Sequence, residues 1–389
     1  MRILFFTTMS VCLLISVLWG CGQDSETTKS SSDAYSLTVD HVSRLTWQET
    51  ITLTGRVKEG SIVYISTDTE ASDGFATVVG TDWVYTITGL VCGENKIKIS
   101  ANFINEQTTA VSIGEQTTNS NRALESVVTT NLSEFADIYL NIERFDVPMS
   151  VSSGTEIVAH RGASMEAPEN TVASVNLAWL QGADGVEVDV MLSRDNRLMV
   201  IHDNNTLRVS GVNLLVADSL AADLRKIDVG VLRGSQFAGE KIPFLEEIIS
   251  ILPPGKKLYI DLKAGKEIVP FLVTVIQRSN KTNQICIQSN DIQVLKDIKN
   301  YLPSLTLFLV HNNISIIRQL TSTSVNVIDG FSLPHDIVTS DVVSMIKGWG
   351  FYLTVWTVNE STIAVRMKSE GVNAIFTDQP DMVLKAVSN

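Results

Sequence analysis

Residues 157–203 read IVAHRGASMEAPENTVASVNLAWLQGADGVEVDVMLSRDNRLMVIHD. Three short apolar runs in this stretch each end on, or carry, chemically active side chains. Ile157–Ala159 leads into His160 and Arg161, and Leu198–Ile201 into His202 and Asp203. In GVEVDV, Glu187 and Asp189 are two apart, so on a strand both carboxylates face the same side. Two histidines, an arginine and a carboxylate pair are the parts of metal-assisted acid–base chemistry on an anionic substrate.

Outward from this stretch, strand-like runs alternate with amphipathic segments over residues 155–389. The runs are EIVAH, GVEVDVML, LMVIHD, KLYIDLK, QICIQS, LTLFLV, VNVIDGFSL, FYLTVWTV and NAIFTD. Helical patterns such as TVASVNLAWLQ, FLEEIISIL and IQVLKDIKNYL lie between most of them. The length and the alternation predict one (β/α)8 barrel, typically about 250 residues. There are nine runs rather than eight. Only SRDNR separates DVML from LMVIHD, too short for a crossover helix. Those two runs must form a hairpin, which brings His202 towards Glu187 and Asp189 and leaves one arm as an addition to the barrel.

Reactive residues of such a barrel gather at the C-terminal ends of its strands. His160, Arg161, Asp189, His202, Asp261 and Lys263 all sit at or near such ends. Glu187 and Asp189 on one face repel unless a cation or an arginine compensates. With Asp261 of YIDLK they make a carboxylate set that suits a hard divalent cation, Ca2+ or Mg2+. Ion pairs to Arg161 or Lys263 without a metal are the alternative. APENT, residues 167–171, reads as a loop entering a helix, with Asn170 or Thr171 as the cap and Glu169 favoured by the helix dipole or by a role at the site. In VWTVN, Trp356 suits an apolar wall and Asn359 a helix cap, whereas Asp378 reads as closing a turn.

The first 154 residues have a different texture. Arg2, an apolar run from Ile3 to Trp19, then Gly20 and Cys21 read as an export signal, residues 1–21. Leu18–Cys21 resembles the bacterial lipobox, which implies lipidation at Cys21 and an exported, membrane-anchored lipoprotein facing the periplasm or the cell surface. Residues 22–35 are polar and serine-rich, a flexible tether. Residues 36–115 alternate apolar and polar positions in short strands punctuated by glycine. LTGRVKEGSIVYIS and WVYTITGLVCGENKIKISA resemble bacterial immunoglobulin-like surface modules, so an all-β sandwich is expected here, as a spacer or for binding a cell-surface partner. Residues 116–154 read as a connector. Within it, Leu132, Phe135, Ile138, Tyr139 and Ile142 fall at helical spacing, which predicts a helix docking on the barrel.

Composition narrows the classes. At 389 residues, 44% hydrophobic and 19% charged, the chain suits packed domains rather than disorder. A net charge of −13 argues against nucleic-acid binding, which needs a basic face. Cys92 and Cys286 fall in different expected domains and form no disulfide or metal pattern, so they read as buried thiols.

In order, HRGASMEAPENT, GADGVEVDVMLSRDNRLMVIHDNNTLR, YIDLK, VWTVN and GVNAIFTDQPD resemble the motifs of the glycerophosphodiester phosphodiesterase family, over about residues 156–385. The resemblance implies a (β/α)8 (TIM) barrel with an insertion after the HD pair, here about residues 204–243, forming a lid-like cap. It implies His160 and His202 as the acid–base pair, Arg161 and Lys263 as phosphate contacts, and Glu187, Asp189 and Asp261 as ligands of a divalent cation. Trp356 would face the substrate. Two positions depart from the family. Asp261 stands where Glu is usual, and its shorter arm bears on the position or identity of the metal. Ser289–Asn290 stands where Ser–Phe is usual, which alters the pocket wall. The implied reaction is hydrolysis of a small-molecule glycerophosphodiester to an alcohol and glycerol 3-phosphate. Competing readings are the same barrel acting on lysophospholipids or glycerophosphate polymers, and a catalytically inactive surface-binding protein.

Overall fold

A computed structural model describes residues 37–69, 71–104, 132–147, 154–320 and 326–388. The expected signal, the tether and Cys21 lie outside the described residues, as do residues 105–131. Among the described residues no helix is long and apolar enough to cross a membrane.

Among the described residues, nine strands make up the N-terminal part: β1 (Leu37–Val39), β2 (Leu45–Thr46), β3 (Thr50–Val57), β4 (Ile62–Thr67), β5 (Gly74–Phe75), β6 (Thr77–Val79), β7 (Asp82–Thr88), β8 (Gly93–Ile104) and β9 (Leu132–Arg144). They form two sheets, β1-β3-β7-β6 and β2-β9-β8-β4-β5. Along β3 burial alternates strictly, as expected of a sheet with one wet face. The inner faces share one core: Leu53 and Trp83 from the first sheet meet Val63, Ile65, Ile97, Ile99 and Ile142 from the second.

The helix expected over residues 132–145 is instead strand β9, antiparallel to β8 along its length. The segment carries two periods at once. Ala136, Ile138, Leu140 and Ile142 recur every second residue and line the sandwich core, while Tyr139 of the helical reading is exposed. A complete neighbouring strand offers every backbone group a partner, so the period of two wins. Cys92 also departs from expectation. It is exposed, in the turn between β7 and β8, where Arg144 Nη1 donates to its sulfur at 2.9 Å. Cys286 is buried as expected, and burial pushes its thiol up to about 12.

The second part is a closed barrel of eight parallel strands: β10 (Glu156–His160), β11 (Gly185–Leu192), β13 (Lys257–Leu262), β14 (Ile285–Ser289), β15 (Thr306–Val310), β16 (Gly330–Pro334), β17 (Tyr352–Trp356) and β18 (Ala374–Thr377). Pairing of β10 with β11 closes the ring. The ninth run, β12 (Leu198–Val200), folds back antiparallel on β11, with Val190 opposite Val200. Barrel strands are buried on both faces, so every residue of β14 is buried, its polar Gln288 and Ser289 included, rather than alternating. Inside, Val158, Tyr259, Cys286, Phe308, Ala374 and Phe376 form an apolar plug with Trp356 packed against it. Beneath it the Tyr259 hydroxyl donates to Glu156 at 2.7 Å, and Lys257 pairs with the same carboxylate. The plug closes the barrel below, so polar chemistry is confined to the upper mouth.

Residues 204–243 form the insertion. It consists of short helices (Leu207–Ser210, Ala221–Leu224) and 3-10 turns over a small core of Val216, Leu224, Ile227, Val229 and Ile242, seated on Met199 and Ile201. The sandwich is docked by directed bonds: Trp47 Nε1 to the Ile251 carbonyl at 2.8 Å, Asn176 Nδ2 to the Leu45 carbonyl at 2.9 Å, and His41 Nε2 with Glu240 of the insertion at 2.9 Å.

Trp83 is 1% exposed and its indole donates to the Thr38 carbonyl at 3.0 Å. Trp83→Ala is expected to destabilise the sandwich by about 3–5 kcal/mol. Urea unfolding followed by near-UV circular dichroism measures this, and an unchanged midpoint would contradict the shared core.

Candidate active site

The HRG turn is set by local geometry. β10 ends at His160, and Arg161 and Gly162 both take left-handed backbone conformations, φ 60° and 78°. An L-side chain is disfavoured there, and such positions persist only when their surroundings hold them. Here the Arg161 N–H donates to Glu187 Oε2 at 2.9 Å, and Ser174 Oγ donates to the Arg161 carbonyl at 3.0 Å. Gly162 is required: a Cβ would lie 2.6 Å from the Ser174 backbone carbon. Thr171, not Asn170, caps the helix Val172–Leu180. Asn170, itself left-handed, turns to the site, where Nδ2 donates to Asp189 Oδ2 at 2.8 Å and Oδ1 accepts the Asp189 N–H at 3.1 Å.

The three expected carboxylates converge. Glu187, Asp189 and Asp261 each offer an oxygen, all within 4.8 Å of one another. In-register pairing of Asp189 with Asp261 across β11 and β13 produces this placement. Lys263 Nζ lies 2.7 Å from Asp261 Oδ2 and 3.1 Å from Asp189 Oδ1, the second without hydrogen-bond alignment, so Asp189 Oδ1 is buried with no hydrogen-bond partner. Arg161 Nε faces Asp189 Oδ2 at 3.1 Å, also unaligned.

The charges are unevenly shared. Burial, then the Asp189 charge, pushes Glu187 up to about 8. Burial also raises Asp261 despite Lys263. Asp189 goes the other way: burial would raise it, but Lys263 and Arg161 outweigh that and hold it down. The protein's own cations therefore balance only part of this acidic cluster. An orphaned buried oxygen, a three-carboxylate donor set and a residual negative charge fit a hard divalent cation.

Both histidines are oriented through Nδ1. His160 Nδ1 is 2.7 Å from Asp378 Oδ1, and its Nε2 lies 4.0 Å from Glu187 Oε2. Burial opposes a charge on His160, but the Asp378 bond and the Glu187 charge outweigh it and raise its pKa. His202 Nδ1 is 2.7 Å from Asp203 Oδ1. The bond from the Ile201 N–H to the Asp189 carbonyl, 3.0 Å, ties the end of the hairpin beside the acidic cluster. A carboxylate on Nδ1 fixes the tautomer and leaves Nε2 for chemistry.

Asp378 is therefore a holder of His160, not a turn closer. Burial would raise it, yet its bond to His160 takes it to about 2. Ser164 Oγ donates to its Oδ1 at 3.0 Å and Asn359 Nδ2 to its Oδ2 at 2.6 Å. Asn359 is likewise not the cap expected of it. The cap position of the helix Ser361–Glu370 is Glu360, and Asn359 Oδ1 accepts from the Asp378 N–H at 2.9 Å. Sequence reasoning missed both roles because they depend on the contact of Asp378 with His160, 218 residues away. The available signal was that both polar residues follow strand ends of the barrel. Trp356, on the inner face, presents a buried Nε1 without a hydrogen-bond partner, as does Gln288 Nε2 in the row of Asp261. Asn290, at the departure from the family's Ser–Phe, is exposed.

The sequence profile described as the glycerophosphoryl diester phosphodiesterase family matches residues 160–382. A glycerophosphodiester phosphodiesterase of Caldanaerobacter subterraneus is 31% identical over 241 residues, 60% of this chain and 98% of that protein. A human lysophospholipase D is 27% identical over 261 residues, 57% of this chain and 83% of that one. Among solved structures, a phosphodiesterase of Oleispira antarctica in complex with the product sn-glycerol-3-phosphate superposes with a TM-score of 0.58 at 28% identity, covering 60% of this chain and 97% of that one.

Asp378→Asn removes the charge that orients His160, and a fall in kcat of at least about 10-fold is expected with the fold intact by circular dichroism. Unchanged turnover would show that His160 does not depend on Asp378. Gly162→Ala is expected to lower both stability and activity, because it forces the HRG turn away from Ser174; a thermal melt beside the assay reads both.

Proposed function

Since the chain belongs to the glycerophosphoryl diester phosphodiesterase family, we propose that it hydrolyses small glycerophosphodiesters to an alcohol and glycerol 3-phosphate, at the mouth of the barrel, by acid–base catalysis from His160 and His202. The observation that carries this reading is the pair of imidazoles, each bound through Nδ1 to its own aspartate, on the rim beside the three-carboxylate cluster.

Arg161 and Lys263 bring positive charge to the phosphoryl oxygens, where it counts most as negative charge builds in the transition state. One histidine removes a proton from the attacking oxygen and the other protonates the departing alcohol oxygen. The first nucleophile is the substrate's own glycerol hydroxyl. Its oxygen bonds to phosphorus as the head-group alcohol leaves, and water then opens the resulting cyclic phosphate with the histidines in exchanged roles. Trp356 forms the apolar wall against which the glycerol carbons rest. Glu187, Asp189 and Asp261 would hold a divalent cation, Ca2+ or Mg2+, whose charge further neutralises the phosphodiester.

Outside the barrel, Leu18–Cys21 supports an exported lipoprotein anchored through Cys21. The two packed sheets support an immunoglobulin-like spacer or surface-binding module, with the enzyme acting beside the membrane on released lipid head groups. A second reading, lysophospholipid as substrate, draws on exposed apolar side chains: Leu207, Val212, Leu215, Val231 and Leu232 of the insertion, and Met165, whose carbonyl accepts from Arg233 of the insertion. Exposed apolar side chains gathered beside a polar site suit an acyl chain. The human lysophospholipase D among its relatives lends this reading weight.

The test is release of the head-group alcohol by the chain from Asp33 onward, with the phosphate product identified as glycerol 3-phosphate or lysophosphatidic acid. Glycerophosphocholine, glycerophosphoethanolamine and a lysophospholipid are compared, with chelator and with Ca2+ or Mg2+ restored. Chelation is expected to lower kcat about 100-fold or more, several kcal/mol of transition-state stabilisation. His160→Ala should lower it about 10²–10⁴-fold. Turnover that ignores both chelator and mutation would sink the proposal, and release from the lysophospholipid alone would select the second reading.

A further inference from the structure

One arginine of the insertion joins the two ends of the site. Arg208 sits in the short helix Leu207–Ser210. Its Nε donates to Asp203 Oδ2 at 2.7 Å, and its Nη1 and Nη2 donate to Glu169 Oε2 and Oε1 at 2.6 and 2.8 Å. The other oxygen of Asp203 holds His202 Nδ1. Glu169 Oε1 also accepts from Arg161 Nη1 at 3.0 Å, and Arg161 Nε faces Asp189. Charge alternates from Asp189 through Arg161, Glu169 and Arg208 to Asp203, whose other oxygen meets His202.

We infer that Arg208 is a positioning residue that sets the His202 imidazole through Asp203 and the Arg161 guanidinium through Glu169, making the insertion part of the catalytic apparatus. The inference rests on the phosphodiesterase reading of His202 and Arg161. Arg208 is 48% exposed by side chain, so its worth in stability is small, as for exposed ion pairs generally. Its worth lies in geometry. The bidentate grip on Glu169 uses both terminal nitrogens and leaves Nε for Asp203, a three-oxygen pattern that a lysine ammonium cannot span in a fixed plane. Without Arg208, Glu169 and Asp203 lose the cation between them, and like charges are left to move apart. Catalytic groups tolerate displacements of only about 0.5 Å, so both side chains lose their setting together.

The experiment compares Arg208→Ala, Arg208→Lys, Asp203→Asn and the double variant Arg208→Ala/Asp203→Asn in the glycerol 3-phosphate assay, with and without millimolar guanidinium. Lys226→Ala, a surface change in the insertion, is the control. Arg208→Ala and Arg208→Lys are expected to lose about 10–100-fold in kcat, with melting temperatures near that of the wild type. Guanidinium is expected to restore part of the Arg208→Ala loss and to leave the wild type unchanged. The double variant should be little worse than Asp203→Asn alone, because both act through His202. Full activity in Arg208→Ala, absence of guanidinium rescue, or losses that multiply in the double variant would each overturn the inference. An inactive wild type would instead overturn the phosphodiesterase reading. Nitrogen NMR of the His202 ring still decides the positioning role in that case: a Nδ1 signal unmoved by Arg208→Ala rejects it.

Discussion

Three carboxylates brought together out of water are the constraint around which the barrel mouth is organised. Strand register places Asp189 beside Asp261, and strand alternation places Glu187 on the same face. Left alone, such a cluster repels itself. Nearly every unusual feature nearby answers it. Arg161 bends into a left-handed conformation and gives its backbone N–H to Glu187. Lys263 lies against two of the three acids. Asn170 leaves the capping position to Thr171 and reaches Asp189 instead. The same surplus of negative charge that makes the fold locally uncomfortable suits the three oxygens to a divalent cation.

Much of this was legible because barrel chemistry and barrel construction use the same short strings. Apolar runs that stop at His160, Asp261 or Trp356 mark both a strand and its reactive end. SRDNR was too short for a helix, so the ninth run could only be a hairpin. Legibility failed where the deciding partner was remote. Asp378 and Asn359 look like ordinary turn and cap residues until β10 and β18 pair and bring His160 alongside. Arg208 carries no local signal, since its meaning depends on Glu169, thirty-nine residues away. The β9 segment failed for a different reason. It carries a helical and a strand period together, and only the free edge of β8 decides between them.

Division of labour within the barrel follows from its plug. Tyr259, Phe308 and Phe376 fill the interior with tilted and edge-to-face rings 5.2 to 5.9 Å apart, closing it below the site. Stability is thus concentrated in the lower half and in the helix–strand shell, which frees the upper rim to hold charges that cost stability. The insertion uses that freedom, resting on its own small core while reaching Glu169 and Asp203 with a single side chain.

The contact between His41 and Glu240 gives the N-terminal sheets a second meaning. Gly239, beside that contact, is left-handed, and any Cβ there would stand 3.0 Å from His41 Nδ1, so the two surfaces meet without slack. The sandwich thus leans on the very segment that carries Arg208. An excised barrel would keep every catalytic side chain yet lose the buttress behind its roof. The two halves of this chain are therefore not interchangeable parts on a string: the outer module helps keep the enzyme's ceiling in place.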